Sequence, residues 1–170
     1  MSIYEELGRA FGASRHAFGD YRAECTKFAG AFLRGFADYI ECDPNRAFNF
    51  IPLKEPVKDD TTYTIPGAMH LDDDTYWHLG VLFCVYEKPN IDPPNQVLMR
   101  LKIKHLDDTY LVQIGDGQEY QIKDPTSEAL RPIFDEIVAE MMDYYQSGLA
   151  RFLRRQTKKT AMGFQSRIAK

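Results

Sequence analysis

The histidines and cysteines are the side chains of this sequence best suited to ligate a metal, move a proton or attack an electrophile, so their spacing comes first. His70 with Asp72 or Asp74, and His105 with Asp107, each set an imidazole beside carboxylates, a donor set that a divalent ion accepts. Neither pair has a third neutral ligand spaced along a helix or strand to complete a site, and acidic hairpin turns produce the same pattern. No metal and no cofactor is expected. His78 lies on one face of a strand with Tyr76, Cys84 and Tyr86. At about 3.3 Å per residue, His78 and Cys84 are roughly 20 Å apart, too far for a nucleophile and its base. A ligand-pocket wall built from Tyr76, His78 and Tyr86 is the chemistry that remains on that face.

The three cysteines, Cys25, Cys42 and Cys84, are odd in number and have no CxxC spacing, which fits reduced thiols in a cytoplasm. The sequence contains no GxGxxG, GxxxxGK[ST], HExxH or GxSxG, so nucleotide hydrolysis, zinc proteolysis and common hydrolase chemistry have no motif support.

Charge is more informative. There are 21 basic and 25 acidic residues in 170, but no acid follows Asp143, and residues 151 to 170 hold seven cations. Removing those seven leaves 14 basic against 25 acidic residues, a body of −11 joined to an end of +7. An acidic body repels nucleic acid and anionic surfaces, while the end attracts them or an acidic protein. Arg151, Arg154, Arg155, Lys158 and Lys159 follow the helical period and are the candidate partner-binding residues. Arg100, Lys102 and Lys104 form a second basic row, read as a solvated sheet face whose lysines deter edge pairing.

These residues need elements to position them. With 44% hydrophobic and 27% charged residues, the composition is globular, and the length suits one domain. The longest uncharged apolar run, Trp77 to Tyr86, is far short of the roughly 20 residues a bilayer requires, and the first residues do not read as a secretory signal; no membrane insertion is expected. All nine prolines lie between Pro44 and Pro132, leaving both ends free for helices. Leu7, Phe11, Phe18, Tyr21, Cys25, Phe28, Phe32 and Tyr39 recur at helical spacing, which predicts a helix from about Ser2 to Glu41. Such a helix, about 60 Å long, exceeds the roughly 40 Å diameter of a domain this size. It either breaks near Gly19 and Asp20 into two helices covering one sheet face, or overhangs and pairs with a second copy. The number of phenylalanines on the stripe favours a homodimer.

A second stripe, from Leu130 to Phe152, follows the capping signal at Asp124 to Glu128, with Pro132 placed to kink or restart the helix. Between the helices the period changes to two. Trp77 to Val85, Val97 to Ile103, Tyr110 to Ile114 and Tyr120 to Ile122 read as strands, with Ala47 to Leu53 and Thr61 to Ile65 as weaker candidates. His70 to Tyr76 and His105 to Tyr110 are near-copies, as two similar hairpin turns would be.

The expected fold is one α+β domain. An N-terminal helical segment (1–43) precedes an antiparallel meander of about five strands (44–124), a C-terminal helix (125–160) and a basic tail (161–170), with the long helices packed on one face. The expected function is that of a non-catalytic cytoplasmic binding or adaptor protein (an inhibitor, immunity or accessory component). It is a homodimer whose basic end engages an acidic protein or nucleic acid. The alternative is an enzyme or small-ligand receptor with its pocket around Tyr76, His78 and Tyr86.

Overall fold

A computed structural model describes residues 2–58, 60–89, 92–154 and 162–167. Its first element, α1 (Ile3–Tyr39), is a single unbroken helix. Ser2 starts it with a reciprocal cap: the Glu5 amide donates to Ser2 Oγ, and the Ser2 amide donates to Glu5 Oε2 at 2.7 Å. Gly19 does not interrupt it, because glycine weakens a helix without obstructing it. At about 1.5 Å per residue the helix is about 55 Å long, so it overhangs the body and does not break into two.

A one-turn helix α2 (Pro44–Ala47) leads into β1 (Phe48–Ile51), the observed part of the weaker strand candidate there. The other weak candidate, Thr61 to Ile65, is not a strand. Thr64 Oγ accepts from the Gly67 amide and caps α3 (Ile65–Ala68), whose early Pro66 suits a helix start. Then come β2 (His70–Leu71), β3 (Trp77–Val85), β4 (Asn95–Leu106), β5 (Thr109–Ile114) and β6 (Glu119–Ile122). The pairing is antiparallel throughout, in the order β1-β3-β4-β5-β6, and β2 takes the same edge of β3 as β1. Asp107 and Asp108, with φ of 48° and 59°, form the two-residue turn between Leu106 and Thr109, so the second of the near-copied segments is a tight hairpin.

Helix α4 (Ser127–Gln146) is capped by Thr126 and continues through Pro132 without a break. A short α5 (Gly148–Leu153) follows. Trp77, Leu79, Val81, Val97, Met99, Leu101, Ile103, Val112 and Ile114 present one sheet face to α1 and α4 and are buried there. Phe134 of α4 sits 5.2 Å from Phe32 and 5.3 Å from Phe36, ring to ring, while Phe28 stacks on Tyr110 at 4.4 Å. The long helices thus share one face of an antiparallel sheet, as expected for the α+β reading.

The chain beyond α5 departs from a simple tail. Met162 and Phe164 are buried in the core, and β7 (Gln165–Arg167) pairs with β4 on the edge that β5 also uses. Gly115 makes this return possible. Its φ is +55°, and a Cβ there would stand 2.0 Å from the Met162 carbonyl oxygen. Gly115→Ala is therefore expected to lower the unfolding free energy by at least about 2 kcal/mol in urea denaturation; a variant as stable as the parent would show that the 162–164 segment does not dock there.

Candidate functional site

The face of the sheet away from α1 and α4 carries polar residues beside a small apolar cluster of Ile51, Leu53, Leu82 and Leu98, and its distinguishing feature lies where β2 meets β3. Antiparallel pairing sets His70 opposite His78 and Leu71 opposite Trp77. The two imidazoles stack with centroids 5.2 Å apart and planes 21° from parallel. The turn between the strands is tied by Asp72 N–H to the Tyr76 carbonyl (3.1 Å) and Thr75 N–H to the Asp72 carbonyl (2.9 Å), with Thr75 at φ 70°. Asp74 Oδ1 accepts from the Tyr76 amide at 3.0 Å, which turns its carboxylate back over the strands. Both Asp74 oxygens then lie 3.0 Å from His78 Nε2, and Asp72 Oδ2 lies 3.9 Å from His70 Nε2.

Residues 51–57 border this cluster, and Lys54 Nζ donates to Asp72 Oδ1 at 2.9 Å. The resulting cleft, about 470 Å³, is lined by Leu53, Lys54, His70, Asp72, His78 and Arg100, among others. Burial, helped by His78 and Lys54, lowers the basicity of His70 below that of an ordinary imidazole. Lys54 and the Asp73 amide hold Asp72 below the usual carboxylate range. Burial pulls Asp74 the other way, but the hydrogen bonds from His78 and the Tyr76 amide prevail and keep it low as well. Nδ1 of His70 is buried and has no hydrogen-bond partner among the described residues. A hollow of about 550 Å³ beside β1 is larger, but among the described residues Arg34 is the one charged side chain in its lining.

Of the three residues expected to line a pocket, His78 belongs to this cleft. Tyr76 sits on the same face but donates its hydroxyl to Glu119 and lies under Lys104, 5.7 Å from the ring centroid. Tyr86 is at the far end of β3, beneath Arg46 at 4.9 Å. The three do not converge, because a strand spreads alternate residues along its length and no helix among the described residues covers this face to fold it into a pocket. His105 does not join the histidine pair either; its ring stacks on Tyr110 at 4.5 Å.

The signal for the meeting of His70 and His78 is present in the sequence: in His70-Leu71-Asp72-Asp73-Asp74-Thr75-Tyr76-Trp77-His78 the histidines are equidistant from Asp74. Residues equidistant from the centre of a hairpin face one another. The neutral ligand that spacing along each element does not supply comes instead from across the strand pair.

The basic end is divided. Arg151 donates to the Asp143 carbonyl at 2.8 Å, approaches Asp143 Oδ2 at 3.7 Å and lies over the Tyr144 ring, so it is engaged within its own chain. Arg154 is exposed, whereas Arg155, Lys158 and Lys159 lie outside the described residues. No helix among the described residues is long and apolar enough to cross a membrane.

The other candidate surface is the projecting half of α1. Tyr4, Phe11 and Phe18 are 85%, 65% and 58% exposed, with Ile3 and Leu7 also open, whereas Cys25, Phe28 and Phe32 on the same stripe are buried. Comparison with protein-family models, curated proteins and solved structures finds no match to this chain.

Burial works against thiolate formation in α1 and its C-terminal turn. Cys25 is fully buried, and that burial pushes its thiol up to about 12; Cys42 is raised by burial too. At pH 8 an alkylating reagent is expected to leave Cys25 unmodified in the native protein and to label it on unfolding, as read by mass spectrometry of the labelled peptides. Rapid native labelling would show that this part of α1 opens.

Proposed function

We propose that this chain is a non-catalytic binding protein that self-associates through the projecting half of α1. The observation that carries this reading is the continuity of one apolar seam across the point where the body ends. Tyr4, Phe11, Phe18, Cys25, Phe32 and Tyr39 follow one another at intervals of seven. Between them, at the complementary positions, stand Leu7, Tyr21 and Phe28, with the small residues Ser14 and Gly35 completing the series. That is the repeat of a helix that packs against another helix along its length. Cys25, Phe28 and Phe32 of the seam are consumed by the sheet and α4, and Tyr39 at its end stays exposed beside Phe134; the Tyr4 to Phe18 half faces solvent.

A second copy suits this surface better than an unrelated partner. The projecting segment is acidic at Glu5 and Glu6 and basic at Arg9 and Arg15. An antiparallel pair crossing at Phe11 sets Glu5 and Glu6 of one helix alongside Arg15 and His16 of the other, whereas a parallel pair opposes like charges. The same arrangement matches two projections of equal length and leaves the two bodies at opposite ends. The exposed apolar side chains offer on the order of 600 Å² per protomer, against about 800 Å² in a standard interface. A Cβ placed on Gly8, Gly12 or Gly19 would meet nothing within 4 Å, so each glycine weakens the helix by about 0.8–1.0 kcal/mol with no contact in return unless another backbone approaches.

The expected homodimer is thereby retained and assigned to α1. The C-terminal cations, with Arg154 exposed, are the proposed contact for an acidic protein or nucleic acid, and the three free thiols fit a cytoplasmic setting. Light scattering coupled to size exclusion tests the core of it. The full chain is expected at twice 19.6 kDa at micromolar concentration. Leu7→Asp combined with Phe11→Asp is expected to return it to the monomer, weakening association at least 100-fold, with unchanged unfolding of the body. A parent chain that is monomeric at 100-fold higher concentration overturns the proposal.

A further inference from the structure

We propose that His70, His78, Asp72 and Asp74 form a binding site for a divalent first-row transition-metal ion of the zinc type. The site is independent of the α1 surface, lying on the opposite face of the sheet. The ligand atoms of His70, Asp72 and His78 all lie within 4.8 Å of one another. A zinc-type ion with bonds of about 2.0–2.2 Å holds its donors roughly 3.0–3.5 Å apart, so the donors must draw closer together to enclose one. The groups that must move are the ones free to do so. Asp72 and Asp74 stand on a turn with side chains 36% and 42% exposed, whereas the imidazoles, at 20% and 12%, are fixed by the β2-β3 register.

Each donor has a role in that closure. Asp72 already divides its oxygens: Oδ1 takes the Lys54 ammonium, while Oδ2 faces His70. It can ligate through Oδ2 and keep Lys54 as an outer partner that orients the carboxylate. Asp74 now holds His78 Nε2 at a distance within the donor spacing of an ion, so the metal takes the place of the shared proton and Asp74 supplies the fourth donor. The unpartnered Nδ1 of His70 shows that the structure leaves this ring's hydrogen-bonding capacity unspent in a nearly dry position.

The donor set specifies the ion class. Two imidazoles and two carboxylates suit zinc, cobalt, nickel or iron(II), whereas magnesium and calcium prefer all-oxygen sites. The bound ion would cross-link the short edge strand β2 to β3 and, through Asp72 and Lys54, to residues 51–57.

Titration of the full chain with Zn²⁺ in competition with a chromophoric chelator tests the site. One Zn²⁺ per chain is expected at micromolar affinity or tighter. His70→Ala and His78→Ala should each weaken it at least about 10-fold, and His105→Ala should leave it unchanged. Should a histidine variant fail to fold, NMR of the parent decides instead: the His70 and His78 ring signals should shift first as Zn²⁺ is added. Absence of stoichiometric uptake, unchanged affinity in folded His70 and His78 variants, or first shifts at His16 or His105 would each overturn the proposal.

Discussion

The interlocking of α1 with the sheet through Phe28, Phe32 and Phe36 is the constraint on which the rest of this molecule depends. These rings are essentially fully buried, and they meet Phe134 of α4, Tyr110 of β5, and Phe48 and Phe83 at the β1-β3 edge. Burying aromatic side chains of this size contributes on the order of 2–3 kcal/mol each, more than an exposed ion pair supplies. Because the second half of α1 is held by that packing, its first half has a set direction, and because the helix is continuous the direction is away from the body.

The same packing decides which sheet face has chemical freedom. One face is committed to α1 and α4 and is apolar at almost every inward position. The other is covered in part by Ile51, Leu53, Leu82 and Leu98, a satellite cluster, and otherwise carries the ionisable residues. A cluster of histidines and carboxylates can form there because the face is dry enough beside that cluster to shield the rings, yet open enough for aspartates on a turn to move. Buried polar chemistry of this kind has to be supported by packing on one side and solvent on the other.

Much of this is legible in the residues. Periodicity of 3.6 over Leu7 to Tyr39 and Leu130 to Phe152, and of 2 over Trp77 to Val85, identifies the helices and central strands because their buried faces repeat locally. The Asp107-Asp108 turn is legible because its chemistry is local too. Thr61 to Ile65 misreads as a strand because a hydroxyl cap and an early proline outweigh β propensity. The docking of Met162 and Phe164 is invisible, since two apolar residues in a polar segment have no period and their partner, Gly115, is remote in sequence. The meeting of His70 and His78 escapes for a related reason: it depends on strand register. Parity alone groups Tyr86 with His78, and parity says which face a residue occupies but not how far along it lies.

The pairing of β7 with β4 has a consequence for how the molecule is made. A chain emerging from the ribosome in order can build the hairpins of β3 to β6 from near neighbours, but the stretch of β4 beyond the reach of β5 keeps an open edge until residues 162–167 arrive. During that interval the nascent body exposes a strand rim and the empty seats of Met162 and Phe164. Covering that rim is thus a long-range closure, and the body is most open to wrong partners before that segment docks.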